Sequence, residues 1–282
     1  MYPGQFEYQR PSSVQEAIAI LAGDPEAKVL AGGHSLVPAM KLRLAMPGTL
    51  VDIGRIAELK GIKVNGGATI GAMTTYDELQ DSSELAGAFP VIKETVNIVG
   101  DPAVRARGTL GGSLAHSDPA ADFTAVMLAL GASVRATGSS GEREISTDDL
   151  FVDLLTTSLE PDEILTSISV PALNGAGAAY EKHAHPASGY AVVGVAAVVK
   201  VEGGNFTSAR IAVTGATSKA TRATAAEQAL VGKPANADTI AAAAAQAADG
   251  LELNGDVYAS AEYRGQLIKV LAKRAITRAA GL

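Results

Sequence analysis

Residues 28–42 read KVLAGGHSLVPAMKL: an apolar run, two glycines, a histidine and a serine, then a second apolar run. The stretch predicts a short buried strand over 28–31 that enters a glycine turn. Alone, Gly32 and Gly33 read most simply as a structural turn, because glycine takes backbone conformations that other residues avoid. A second stretch, GTLGGSLAHS over 108–117, repeats the design. AGGHS (31–35) and TLGGS (109–113) each set paired glycines ahead of a hydroxyl. Two such loops can aim successive backbone N–H groups at one anion, and Ser35, Thr109 and Ser113 add hydroxyl donors. A pyrophosphate needs several donors from more than one direction, and paired loops supply them without a lysine. Neither loop carries the Rossmann pattern G-x-G-x-x-G or the Walker pattern G-x-x-x-x-G-K, so a dinucleotide bound here is held by another architecture.

Outward from these loops, the periodicity predicts an amphipathic helix over 12–22, with Ser13 and Glu16 as a capping box and Val14, Ala17, Ile18 and Leu21 on one face. Residues 49–53 predict a strand. Residues 61–72 predict a hairpin turning at Asn65 and Gly66. Thr75 and Glu78 form a second capping box, and 89–98 a helix stopped by Gly100 and Pro102. After the second glycine loop a helix is expected, with Asp118 as N-cap, Pro119 at the first helical position and Gly131 as the stop. Strands follow over 132–137 and 162–170. A Pro/Gly-rich joint, PALNGAG over 171–177, marks the domain boundary. Beyond it come three strands (177–183, 191–201, 208–214) and three helices (222–230, 238–248, 260–279), an α+β layer rather than a nucleotide-binding βαβ unit.

The chain has 282 residues, which predicts two or three domains or subdomains. With 47% hydrophobic and 19% charged residues it fits a globular protein with a substantial core. The net charge of −7 and scattered cations argue against nucleic acid. The basic residues near the C-terminus, Lys269, Lys273, Arg274 and Arg278, read as a solvated helix face. There is no cysteine, so this chain forms no disulfide and ligates no iron–sulfur cluster. The four histidines, His34, His116, His183 and His185, form no helical metal-ligand pair, and HAH over 183–185 reads as a surface loop before Pro186. No metal site, transmembrane segment or signal peptide is expected, and the chain reads as cytoplasmic.

AGGHSLVPAMKLRL, DPAVRARGTLGGSLAHSDPAAD, DEILTSISVP and ASAEYRGQLIKVLAKRA, in this order and at these separations, resemble the flavin-binding subunits of molybdenum hydroxylases, the xanthine dehydrogenase family, and most of all its carbon monoxide dehydrogenase branch of medium chains. The likeness covers essentially the whole chain. It implies an α+β, two-subdomain FAD-binding fold of the vanillyl-alcohol-oxidase (PCMH) type over 1–175, with subdomains of about 1–55 and 56–175. It also implies a C-terminal α+β domain over 176–282 with a three-stranded antiparallel sheet and helices.

The resemblance places Val29, Leu30, Ala31, Gly32, Gly33, His34, Ser35 and Leu36 on the first FAD loop and Thr109, Gly111, Gly112 and Ser113 on the second. Val99 falls at an apolar flavin contact, and Asp122 at an acid that bonds the ribityl or adenosine side. Leu165 and Lys182 match further flavin neighbours, and Tyr190 an aromatic that shields one isoalloxazine face. Each also has a plainer reading: Asp122 as a first-turn acid favoured by the helix dipole, Leu165 as core, Lys182 as a solvated lysine, Tyr190 as a packed tyrosine, and His116 as structural.

No residue reads as a nucleophile or a paired general base, so no catalytic residue is expected. The resemblance implies electron passage through non-covalent FAD. Substrate would be oxidised at a molybdenum cofactor on a large partner. Electrons would cross two 2Fe–2S clusters on a small partner, reach the FAD here, and leave to a quinone, NAD or oxygen. A dimer of such heterotrimers is implied, cytoplasmic or associated with the inner membrane face through the complex. Carbon monoxide is the first substrate, with nicotine-, quinoline- or purine-type heterocycles and aldehydes as alternatives. A self-sufficient oxidase with flavin bonded covalently to His34 is a further alternative.

Overall fold

In the computed structural model, which describes residues 2–282, the chain forms three main sheets in succession. The first is small and parallel: β1 (Glu7–Gln9) and β2 (Ala27–Leu30) flank β3 (Thr49–Asp52), connected through α1 (Val14–Gly23) and α2 (Leu36–Lys41). α1 is the helix expected over 12–22. The Ser13 hydroxyl accepts from the Glu16 N–H, but the Glu16 carboxylate closes on the N–H and hydroxyl of Ser12, so the expected box is half made. Its apolar stripe packs with Val51, Ile53, Ile56 and Leu59.

The second sheet is antiparallel, in the order β4-β5-β10-β6-β7. β4 (Ile62–Asn65) and β5 (Gly67–Gly71) are the predicted hairpin, turning at Gly66 with φ of 70°. Six helices intervene: α3 (Tyr76–Asp81), α4 (Ser83–Ala88), α5 (Pro90–Val96), α6 (Pro102–Arg105), α7 (Leu110–His116) and α8 (Asp122–Leu130). The capping box of Thr75 and Glu78 is complete. Then come β6 (Ser133–Gly138), β7 (Gly141–Ser146), α9 (Thr147–Leu150), a small hairpin of β8 (Phe151–Asp153) and β9 (Thr156–Thr157), and β10 (Ile164–Val170). β7 escapes the sequence reading because it is an exposed edge: GEREIS buries only Ile145, and an unburied strand shows no apolar alternation.

The third sheet is antiparallel: β11 (Gly177–Ala184), β12 (Ala191–Glu202), β13 (Asn205–Thr214) and a two-residue fourth strand, β14 (Thr221–Arg222), that extends the expected three. α10 (Thr224–Leu230), α11 (Ala237–Ala245) and α12 (Ala261–Ala280) cover one face. Val193, Val195, Ala197, Ile211 and Val213 meet Ile268, Leu271 and Ala275 there. The other face is covered by α8, all nine of whose residues are buried, with Tyr180, Ala196 and Ala212 in the same core as Phe123 and Val126. Burial on both faces explains why β12, AVVGVAAVVKVE, is almost uninterrupted in apolar character.

Two expectations around the second glycine loop are corrected. TLGGS is not a free turn before a helix; it opens α7, with the Thr109 hydroxyl accepting from the Gly112 N–H at 3.1 Å. α7 ends at Ser117 in the left-handed region. Asp118 and Pro119 then lie in a short strap that forms a turn, closed by the Ala121 N–H on the Asp118 carbonyl at 3.0 Å, rather than at a helix start. Asp118 Oδ1 accepts from the Ala120 N–H at 2.8 Å, and the Pro119 carbonyl accepts from the Gly215 N–H at 2.6 Å. That docking against the end of β13 holds the strap off the helix axis, and α8 starts only at Asp122, behind an Ala121 with no capping side chain. Gly131 ends α8 with φ of 66°, as expected.

Candidate functional site

The two glycine loops meet in space. A Cβ on Gly32 would overlap the Arg107 carbonyl oxygen, and one on Gly112 would touch the Ala31 Cβ at 3.5 Å. A cleft of about 700 Å³ opens where they meet, within the usual size of ligand sites. Its walls come from the first sheet and α2, from α7 and the strap, from β10, and from the loop after β11.

The loops contribute differently. In the first, Gly33 takes φ of 82°, the left-handed region open to glycine. Among the described residues, the N–H groups of Gly32, Gly33, His34 and Ser35 donate to no other backbone group. The Ser35 hydroxyl makes no capping bond to α2. In the second loop four of the five amides are spent: Leu110 donates to the Thr74 carbonyl, Gly111 to that of Ala72, and Gly112 and Ser113 to the Thr109 hydroxyl and carbonyl. It therefore presents hydroxyl hydrogens from Thr109 and Ser113 rather than a row of N–H groups. Among the described residues, Lys28, on β2, is the lysine or arginine in this wall, and the sequence reading did not single it out.

Val99, Leu155, Leu159, Leu165 and Tyr190 give the same cleft an apolar share of its wall. Leu165 is 5% exposed and so serves core and cleft together; Tyr190 is 47% exposed at the mouth. Burial, and then the Asp118 and Asp122 carboxylates, push the Tyr190 phenol up, so it is neutral at ordinary pH. Tyr76 stacks on Phe123, ring centroids 5.3 Å apart at 15°, and both face the cleft. Neither was expected there, because a capping box and a helical pattern do not say which helix side meets a cavity.

Asp122 is in the cleft wall and 7% exposed. Tyr180 donates its hydroxyl to Asp122 Oδ1 at 2.6 Å, and Lys182 Nζ lies 3.0 Å from the carboxylate. Burial pushes the Asp122 carboxyl above its usual range, opposed by the Lys182 ammonium and the Tyr180 hydroxyl. Burial, then the Asp122 carboxylate, holds the Tyr180 phenol well above its ordinary value.

Of the predicted site residues, Val29, Ala31, Gly32, Gly33, His34, Ser35, Leu36, Val99, Thr109, Gly111, Gly112, Ser113, Asp122, Leu165 and Tyr190 all line this one cleft. Leu30 is not in the wall; it is half-buried, with its Cδ1 3.5 Å from where a Cβ on Gly33 would stand. Lys182 is neither solvated nor in the wall: its side chain is 4% exposed, behind Asp122. His34 is exposed and His116 half-buried, both at the cleft. His183 is part of β11 rather than a loop, edge-on to Tyr263, while His185 packs on Tyr258. Among the described residues no cluster could hold a metal ion, and no helix is long and apolar enough to cross a membrane.

A cleft that combines unspent amides and hydroxyls with aromatic and aliphatic walls fits a ligand carrying both an anionic group and a flat apolar ring. The comparisons name that ligand's family. Residues 4–173 match the family described as "FAD binding domain in molybdopterin dehydrogenase", and residues 178–279 the "CO dehydrogenase flavoprotein C-terminal domain". The chain belongs to this family of flavoprotein subunits of molybdenum-containing dehydrogenases, and is an oxidoreductase subunit of the FAD-binding class. It is 40% identical to the carbon monoxide dehydrogenase medium chain of Afipia carboxidovorans, over 99% of this chain and 98% of that one. It is 34% identical to the glyceraldehyde dehydrogenase medium chain of Sulfolobus acidocaldarius, over 99% and 100%. Its fold superposes on a chain of the Hydrogenophaga pseudoflava carbon monoxide dehydrogenase with a TM-score of 0.96 at 40% identity, covering 100% and 99% of the two chains.

Proposed function

We propose that this chain holds FAD non-covalently in the cleft and serves as the electron-exit subunit of a heterotrimeric carbon monoxide dehydrogenase. Bound FAD supplies the chemistry of taking electrons arriving singly and handing them on in pairs. The protein's part is to bind, orient and shield. The N–H groups of residues 32–35, the hydroxyls of Ser35, Thr109 and Ser113, and Lys28 face the pyrophosphate; His34 neighbours it. Val99, Leu165 and Tyr190 enclose the isoalloxazine, and Asp122 accepts from a donor on the cofactor. In this reading residues 1–175 are the FAD-binding domain, in subdomains of about 1–55 and 56–175, and 176–282 the C-terminal domain.

The single observation that carries the reading is the junction of the two glycine loops over unspent N–H groups, in a chain without cysteine, nucleophile or paired general base. Such a chain needs partners for its substrate chemistry: a large subunit with the molybdenum cofactor and a small one with 2Fe–2S clusters, arranged as a dimer of heterotrimers in the cytoplasm. Carbon monoxide as substrate rests on the relative named for it at 40% identity. An aldehyde is the second choice, favoured by the glyceraldehyde dehydrogenase relative at 34%. The test is to co-express the chain with its two partners and purify the complex. Flavin absorbance, release of free FAD by acid, and dye reduction dependent on carbon monoxide are expected. A purified complex without flavin refutes the cofactor assignment; one that bleaches dye with aldehydes alone moves the substrate to the second choice; flavin migrating with the denatured chain assigns His34 as a tether.

A further inference from the structure

β11 places Tyr180 and Lys182 two residues apart, which on a strand puts both side chains on one face. That face meets the first residue of α8. Tyr180 gives its hydroxyl hydrogen to Asp122, and Lys182 spans from the Asp122 carboxylate to the Ile98 carbonyl, 3.0 Å from its Nζ in each case. Ile98 precedes Val99 and Gly100, which line the cleft. The neighbouring strand is cut to suit: Gly194 pairs with Lys182, and a Cβ there would overlap the Tyr180 hydroxyl. Three residues of the C-terminal sheet thus form a socket for one carboxylate and one loop of the cleft, and none of the three lines the cleft itself.

We propose that Lys182 and Tyr180 are positioning residues for FAD, acting through Asp122 and the carbonyl of Ile98: the C-terminal sheet sets the charge and the direction of the carboxylate that faces the cofactor. The inference rests on the reading of the cleft as the FAD site. A buried carboxylate without a counter-ion takes up a proton. Lys182 and Tyr180 oppose the push of burial toward the protonated form, and their bonds to the two carboxylate oxygens fix the direction of Asp122. The other titratable groups near Asp122 do not replace this ammonium. Tyr76 and Tyr190 are neutral phenols raised by burial, Asp118 is a like charge in the strap, and His116 lies on α7 at the cleft. Arg210, from β13, serves the opposite end of α8, bonding the Leu128 and Ala129 carbonyls and Asp148.

The test uses the full chain stripped of flavin, titrated with FAD and followed by flavin fluorescence across pH. Wild type sets the reference pH profile, in which FAD binding weakens on acidification as Asp122, pushed up by burial and held back by Lys182, takes up a proton. Lys182→Met is expected to weaken FAD by about tenfold at neutral pH and to lose binding from a higher pH than wild type, as the unpaired Asp122 protonates sooner. Lys182→Arg should restore the wild-type profile. Tyr180→Phe, which preserves packing, should weaken FAD less and shift the visible flavin band. Should Lys182→Met fail to fold by circular dichroism, the comparison of Tyr180→Phe with wild type decides. Failure of wild type to bind FAD overturns the cofactor assignment. Binding by wild type with an unchanged Kd, pH profile and flavin band in the variants overturns the positioning role alone.

Discussion

AGGHS and TLGGS look like two copies of one device, yet they fold into different ones. The first leaves its amides unpaired around a left-handed Gly33 and a serine that caps nothing. The second is the first turn of α7, four of its amides consumed by Thr109, Thr74 and Ala72. The residue two places ahead of the glycines makes the difference. Thr109 carries a hydroxyl that accepts from an amide three residues on and nucleates the helix; Leu30, at the matching place, has none, so the chain turns through Gly33 instead. The glycines differ as well. Gly33 is needed for its dihedral angle, whereas Gly32 and Gly111 are needed because another backbone or side chain passes where their Cβ would stand. Paired glycines therefore mark a site here for two separate reasons, and it is the first loop that offers a row of backbone donors to an anion.

The strongest way to break this comparison is at the contact between the loops. Gly32→Val would drive a side chain into the backbone of Arg107 and Gly108, which neither loop can vacate without opening the cleft. The expected result is loss of bound flavin altogether, with destabilisation of about 3 kcal/mol, the upper range for overpacking. Flavin absorbance of the purified protein and its melting temperature check this. Retention of full flavin would mean that the loops separate readily and that their junction is not the cradle.

Next in size is a contrast between two alanines. At Gly33 an added Cβ meets only Val37 and Leu30 side-chain atoms at 3.4 and 3.5 Å, so the penalty is the left-handed backbone, about 1–2 kcal/mol. Relief of that strain re-aims the free amides, so Gly33→Ala should lose flavin affinity out of proportion to its stability. Gly111→Ala would press on the Ala72 Cβ at 2.5 Å in a fully packed wall. There the order reverses: about 1–3 kcal/mol of stability is lost, with a smaller change in FAD affinity once folded. Urea unfolding and FAD titration on both variants separate the two. If both lose affinity and stability in the same proportion, the loops are equivalent after all.

This division also marks how far the sequence could be read. The paired glycines, the capping box at Thr75 and the apolar run of β12 carry their meaning locally, so most elements and fifteen residues of the cleft wall were legible. The fate of the amides was not, because it depends on the partners Thr74 and Ala72, in another segment. The strap over 118–121 reads as a helix start until β13 arrives to bind it. Asp122 and Lys182, sixty positions apart, each have a bland local explanation, and only the meeting of α8 with β11 joins them. Tyr76 and Phe123 stack across a similar gap. What the sequence withholds is the pairing between distant elements, and that pairing sets the charge inside the cleft.

The smallest effects are the sharpest test, since they concern single hydroxyls. Thr109 Oγ1 accepts from the Gly112 N–H, so Thr109→Val removes a helix cap and should lower stability by about 1 kcal/mol. Ser35 makes no such bond, so Ser35→Ala should leave the flavin-free protein within about 0.5 kcal/mol of wild type. Its effect should appear only with the cofactor, as a several-fold rise in the FAD Kd. Thr109→Ser retains the cap and should restore stability, which distinguishes loss of the hydroxyl from loss of the methyl group. Melting curves with and without FAD read both quantities from one sample: the Ser35→Ala curve should differ from wild type only when flavin is present, the Thr109→Val curve in both conditions. A Ser35→Ala protein that is destabilised without flavin would show that its hydroxyl supports the fold, and the distinction between the two loops would then rest on the amides alone.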